Sequence, residues 1–378
     1  MKRLKSLLKL LQHPPLAPLA AITLFSLWGC LLIYTAKAFG NNPAYFAGRQ
    51  LIWLGLGCVI FCISAMIPFC YYEKYARWGF SGAVLILVGV LIFGKKINGM
   101  TGWFELANDI LFQPSEFAKC TLVLYLCNKT GKNDWDGKNW RSFLNVLIPA
   151  LICCALVILE PDLGSALVIA GAVLIVLFLA GCDLKYIFLC MGGAVVAACL
   201  FLWMRPYAMK RLTDFFSSNG ESWHLQQFLY TLARGGWTGS EDGGAIWANA
   251  YLPLPHTDSL YATIVEAAGF IGGLIVLGLF VLLGILFHCL ARRDNISRPA
   301  ALYINAIGML YLLQALLHIS VNLVLIPTTG ITLPFLSYGG SSLVSTLIAF
   351  GIAFSAVRSS RTDADAGDAA PEQGSGSA

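Results

Sequence analysis

Leu163-Gly-Ser-Ala-Leu-Val-Ile-Ala-Gly-Ala-Val-Leu-Ile-Val-Leu-Phe-Leu-Ala-Gly181 decides the class of fold, because it carries no charge from end to end. A helix needs about 17–25 apolar residues to cross a bilayer, and this run meets that length. Similar runs stand at 16–36, 50–69, 77–94, 113–128, 143–159, 186–203, 259–290, 299–325 and 340–357. The run at 113–128 is short and holds Glu116 and Lys119. We read an all-α polytopic membrane protein with ten transmembrane helices.

Composition supports this reading. Of the 378 residues, 58% are hydrophobic and 12% charged, against about 45–50% and 25% in soluble domains. Mean hydropathy is +0.72. So little charge cannot cover so much apolar surface in water, which excludes a cytosolic enzyme, a disordered chain and a coiled coil. The net charge of +5 is no sign of nucleic acid, since no stretch interleaves basic and aromatic residues on a polar background. The 12 cysteines lie within or at the ends of apolar runs and read as small apolar fillers.

Ten spans put both termini on one side. Calling that side cytoplasmic gives it about two thirds of the 25 Lys and Arg, as the positive-inside rule asks. The N-terminus reads as an uncleaved first span. Residues 1–357 then form a single transmembrane domain, with an extracytoplasmic loop at 204–258 between spans seven and eight. Residues 358–378, rich in Ser, Asp, Ala and Gly, read as a disordered cytoplasmic tail. Within the long loop, Trp223 to Arg234 has helical apolar spacing, which predicts a short helix on the membrane surface.

Four pieces could carry chemistry on the outer side. Ionisable groups at membrane depth cost about 2.5–3.5 kcal/mol each, so each needs a reason. Glu116 and Lys119 share a helix face; they read as a cavity wall or as a self-neutralising pair. Gln113, Pro114 and Ser115 mark that helix start. Glu160-Pro-Asp-Leu-Gly164 reads as a tight turn in which Asp162 caps a helix and Gly164 packs closely. Asp258, at the end of Pro253-Leu-Pro-His-Thr-Asp258, is an N-terminal cap or a general base held at the lipid–water boundary. The uncharged segment 326–342 is a phosphate cradle or a re-entrant loop packed between helices.

Together these motifs resemble the SEDS family (FtsW, RodA, SpoVE). The resemblance rests on Phe112-Gln-Pro-Ser-Glu-Phe-Ala-Lys119, Glu160-Pro-Asp-Leu-Gly164, Leu252-Pro-Leu-Pro-His-Thr-Asp258 and Thr329-Gly-Ile-Thr-Leu-Pro-Phe-Leu-Ser-Tyr-Gly-Gly-Ser-Ser342, and it covers the chain except the tail. It implies a peptidoglycan glycosyltransferase of the bacterial cytoplasmic (inner) membrane. Such an enzyme polymerises lipid II on the outer face for cell division or cell shape. It works with a class B penicillin-binding protein and other divisome or elongasome membrane proteins. Carried over by motif, the catalytic residues are Asp258, Lys119 and Glu116. The substrate-binding set is Trp103, Gln113, Ser115, His256, Thr257, Glu266, Thr332, Ser337, Tyr338, Gly339, Gly340 and Ser341. A divalent cation, Mg or Mn, is a possible cofactor, and no organic cofactor is implied.

The chain also departs from the family pattern. Gly102 stands where the family usually has Arg before the tryptophan, here Trp103. Ala267 follows Glu266 where a second Glu is common. Ser259-Leu-Tyr261 follows the aspartate in place of Phe-Ile-Phe, and the Gly-rich segment 235–244 is altered. Thr332 and Ser341-Ser342 lean toward the division branch. A flippase for lipid-linked precursors and a non-catalytic scaffold for a penicillin-binding protein are the alternative readings.

Overall fold

The computed structural model describes residues 16–36, 43–97, 99–107, 110–204, 206–216, 223–241, 244–293 and 296–368. Among the described residues a long helix stands at each of the ten apolar runs. These are α1 (Leu16–Ala36), α2 (Pro43–Met66), α3 (Phe69–Phe93), α4 (Pro114–Thr130), α5 (Trp140–Leu159), α6 (Leu163–Leu179), α7 (Leu184–Met204), α11 (Leu260–Ala291), α12 (Arg298–Asn322) and α13 (Gly340–Asp368). Seven of them are long and apolar enough to cross a membrane: α2, α3, α5, α7, α11, α12 and α13. The chain is a polytopic helical membrane protein.

Burial sorts the helices. In α13, 83% of the apolar window is buried, and in α12 56%, against 28% in α2, α3 and α5. So α12 and α13, with the largely buried α4 packed on both, form the centre of the bundle. The window of α7 is 0% buried; it packs on its chain neighbours α6 and α8 (Pro206–Phe216), and at its start Tyr186 stacks on Phe143 of α5. Large apolar side chains such as Trp203 and Val195 point outward there, as suits a hydrocarbon solvent.

Several boundaries differ from the sequence reading. Pro68 ends α2 with extended backbone (φ −58°, ψ 140°), and proline disfavours helix in the residue before it. The third helix therefore starts at Phe69, ahead of the expected run at 77–94, and carries Lys74. The last helix runs into the expected tail as far as Asp368; residues 369–378 lie outside the described residues.

The other departure from an all-α architecture is a small antiparallel sheet in the order β1-β2-β3. Its strands are β1 (Lys95–Ile97), β2 (Met100–Ala107) and β3 (Ile110–Phe112), with Lys95 opposite Trp103 and Phe104 opposite Phe112. In the long loop, α9 (Trp223–Gly235) forms where the apolar spacing predicted it, followed by α10 (Ile246–Tyr251). Helix α11 is broken at Gly269, whose φ of 71° only glycine adopts freely. The loop after α9 inserts into this break: Phe270 and Ile271 donate their N–H groups to the carbonyls of Gly236 and Trp237 at 2.9 and 3.2 Å. The break is thus a docking point for the long loop.

Candidate active site

The first wall of the site is the start of α4. Gln113 is extended (φ −105°), and Pro114 occupies the first helical position, where its missing N–H costs nothing. One turn on, Glu116 and Lys119 are buried and joined at 2.7 Å between Oε2 and Nζ. Lys119 also donates to Gln314 Oε1 at 2.8 Å, and Gln314 donates in turn to the Thr332 carbonyl at 3.0 Å. Both sequence readings of the pair hold at once. The charges neutralise each other, and they line a cavity of about 20 Å³ with Gln113, Ser165, Gln314 and residues 330–332, space for about one water.

The second wall is the turn at 160–164. Asp162 is the N-cap of α6 and accepts from Ser165 N at 2.9 Å and Ser165 Oγ at 2.6 Å. Gln113 Nε2 reaches the same carboxylate at 3.2 Å, joining the two walls. A Cβ on Gly164 would strike the Thr329 carbonyl, so this glycine is a close-packing residue. Glu160 is fully buried, and among the described residues both its carboxyl oxygens are without a hydrogen-bond partner. Burial and, secondarily, the nearby Asp162 charge push its pKa up to about 8.

The third wall is the segment 326–339. Gly330 takes a left-handed conformation (φ 72°), which turns the chain so that Ile331, Leu333, Phe335 and Leu336 are buried. The segment is therefore packed inside the protein, and Gly330 to Thr332 still face the cavity. Ser337 locks the segment: its Oγ accepts from Leu333 N and donates to the Thr257 carbonyl, both at 2.8 Å. Tyr338 N donates to the His256 carbonyl at 2.9 Å. Ser341 Oγ accepts from Gln113 N and donates to the Leu111 carbonyl, both at 3.1 Å. Thr332 and Ser342 hydroxyls meet at 3.1 Å.

The fourth piece is Asp258. Ser259, not Asp258, occupies the N-cap position of α11, and it makes no side-chain cap bond. The cap comes from another helix: Asn322 Oδ1 accepts the Ala262 N–H at 3.0 Å. Asn322 Nδ2 donates to the Asp258 carbonyl at 3.0 Å. The half-buried carboxylate of Asp258 lies against Gly330, with Oδ2 3.9 Å from the place a Cβ would take there. Four motifs spread over more than 200 residues of sequence therefore meet at one end of the bundle.

The FtsW/RodA/SpoVE family profile, described as "Cell cycle protein", matches residues 14–362. The chain belongs to the FtsW/RodA/SpoVE family. A protein named probable peptidoglycan glycosyltransferase FtsW from Coxiella burnetii is 34% identical over 88% of this chain and 92% of its own length. The similarly named protein of Escherichia coli O6:H1 is 30% identical over 80% of this chain and 75% of its own. Among solved structures, a chain of a peptidoglycan synthase complex superposes with a TM-score of 0.74 at 25% identity, covering 89% of this chain and 97% of that one. Thermus thermophilus RodA, the rod shape determining protein, gives 0.67 at 26% identity, covering 90% and 94%.

Within this FtsW/RodA/SpoVE chain, some expected site residues do other work. Lys119 is held by Glu116 and Gln314. Glu266 is fully buried, and its oxygens accept from Trp247 N, Ala248 N and Arg234 Nε at 2.8, 2.7 and 3.4 Å. It staples α10 to α11 and faces away from the cavity. Trp103 is half-buried in β2, and it does not line the cavity. Ser115 is fully buried with its hydroxyl unpartnered. His256 is buried with its ring 4.8 Å from Phe46. Gly339 N donates to Gln50 Oε1 at 3.3 Å, and Gly340 packs on the Trp53 ring.

Gln50, Gln314, His318 and Asn322 were missed. The last three recur every fourth residue in an apolar span, a signal that was present in the FtsW/RodA/SpoVE sequence and not weighed. Among the described residues no group of three or more His, Cys, Asp or Glu is placed to hold a metal ion. Among the described residues the site offers no protein-only divalent cage.

Proposed function

We propose that this chain is a peptidoglycan glycosyltransferase that polymerises lipid II at the outer face of the bacterial inner membrane. The carrying observation is the meeting of Glu116, Lys119, Gly330–Thr332 and Asp258 at one end of a family bundle whose named relatives bear that activity. All ten long helices span the membrane in this reading. Both termini are cytoplasmic, and the site end faces outward.

In the reaction, the C4 hydroxyl of one lipid-linked disaccharide attacks the anomeric carbon of another. The new C1–O4 bond forms as the C1–O bond to the polyprenyl pyrophosphate breaks, with inversion. Asp258 takes the hydroxyl proton as general base. Lys119 offsets the negative charge that grows on the departing pyrophosphate. Gln113 and Thr332 supply neutral donors around it, with Ser341 holding the Gln113 backbone in place, which suits an anion in a site that already holds carboxylates. Thr257, Ser337 and Tyr338 keep the Asp258 turn in place through their backbone and hydroxyl bonds. A class B penicillin-binding protein is the partner that cross-links the product, consistent with the synthase complex among the structural relatives. The division branch is favoured by Thr332, Ser341 and Ser342 and by the FtsW names of the relatives.

The test is polymerisation of lipid II by the purified chain with and without its partner, with and without Mg or Mn, read as glycan ladders on a gel. Wild type should give ladders and Asp258→Ala none. Lipid II moved across the bilayer without chain growth would reject this reading in favour of a flippase. Partner binding with neither activity would favour a scaffold.

A further inference from the structure

One face of α12 carries Gln314, His318 and Asn322, four residues apart and all buried. Each side chain grips a different part of the site. Gln314 holds Lys119 and the Thr332 carbonyl. His318 Nδ1 lies 2.7 Å from the Ile331 carbonyl; a carbonyl only accepts, so Nδ1 carries the proton. Asn322 Nδ2 donates to the Asp258 carbonyl at 3.0 Å and to the His318 carbonyl at 2.9 Å, while its Oδ1 takes Ala262 N at 3.0 Å.

We propose that Asn322 is a positioning residue for the reaction: it fixes the peptide of Asp258, and through α12 it sets where that carboxylate stands relative to Lys119. This rests on the reading of Asp258 as the base. Asn322 is fully buried, and both donor hydrogens and its acceptor are engaged, so its amide cannot rotate without leaving buried polar groups unpaired. The nearest local residue does not provide a cap, because the Ser259 hydroxyl is turned to the Pro253 carbonyl at 2.7 Å. The direction of the Asp258 carbonyl and the start of α11 are therefore both set from a helix about sixty residues away in sequence. The other end of the same polar face grips Lys119. One rigid helix thus carries both reference points, and a 1 Å misplacement of a reacting group is worth about a hundredfold in rate.

The full chain with its partner, in nanodiscs with lipid II as substrate, separates positioning from capping. Asn322→Asp keeps the acceptor for Ala262 N and loses the donors to Asp258 and His318. Asn322→Leu loses all three bonds. Both variants should lower kcat per folded molecule by about tenfold or more, with KM within about twofold. In Asn322→Asp the acid limb of the rate profile should move to higher pH, because a second carboxylate disfavours ionised Asp258. Wild-type kcat and an unmoved limb in Asn322→Asp would overturn the proposal, and Asn322 would be a helix cap alone. That variant decides the matter even where Asn322→Leu fails to fold. Asp258→Asn runs in parallel. Its retained activity would reject the base assignment and this inference with it. An inactive Asp258→Asn beside a fully active Asn322→Asp would reject this inference alone.

Discussion

The carboxyl of Glu160 lies directly under Gly102: a Cβ built on that glycine would stand 3.0 Å from Oε2. Strand β2 runs over the turn at this point, with Thr101 N donating to the Glu160 carbonyl at 3.4 Å. No side chain at position 102 meets the acid. Burial therefore leaves it protonated near neutrality, with a pKa of about 8.

The first prediction concerns pH. Glu160 binds its proton more tightly folded than unfolded, so the native state holds the extra proton between about pH 4.5 and 8. Stability from this group is full below pH 4.5 and is lost as pH rises through 8. Thermal unfolding of the purified chain should show Tm falling across that window. Glu160→Gln, which cannot ionise, should flatten the fall. An equally steep fall in the variant would remove Glu160 as its source.

A second prediction adds the missing cation. Gly102→Arg places a guanidinium stem against the acid, and an adjacent positive charge favours the ionised carboxylate. The variant should resist alkaline unfolding better than wild type, with a higher Tm above pH 8. The Cβ contact of 3.0 Å is tight, so the carboxyl must shift by a few tenths of an ångström. Loss of stability at all pH values would show that the strand cannot accept the side chain.

The Glu116–Lys119 pair separates charge balance from chemistry. Lys119→Met leaves Glu116 buried and uncompensated, a loss of about 3–5 kcal/mol. Adding Glu116→Gln removes the stranded charge and should recover most of that stability. Polymerisation should stay absent in both variants, because the positive charge is gone. Recovery of glycan ladders in the double variant would relieve Lys119 of its proposed part.

Gly269 tests the docking of the long loop. An alanine there is strained by the positive φ, roughly 1–3 kcal/mol, and its Cβ would strike the Trp237 carbonyl. Gly269→Ala should lower Tm and expose the segment 235–240 to proteolysis. A protected loop in that variant would mean that the insertion is not what holds it.

Much of the architecture was legible because hydrocarbon is an unforgiving solvent. Runs such as 163–181 have few alternatives to a helix when every backbone group must be satisfied within the segment. The capping role of Asp162 and the helix at Trp223 were legible because each is local. The bonds of Glu266 were not legible because its partners, Trp247 N and Ala248 N, come from a loop whose fold no spacing reveals. Its acidic character near the motif suggested substrate, and the bonds it makes are structural.

By itself, the sequence determined the helices, the family and the motifs, since these depend on residue type and on spacing along one chain. Tertiary structure alone decided which motifs share a site and who holds whom. Lys119 could neutralise Glu116 or Asp258, and only the packing of α12 against α4 gives it Glu116 and Gln314. Asp258 could cap its own helix, and only the approach of Asn322 takes over that cap. Buried polar groups must find partners, but the chain does not state in its order which partners the bundle brings within 3 Å.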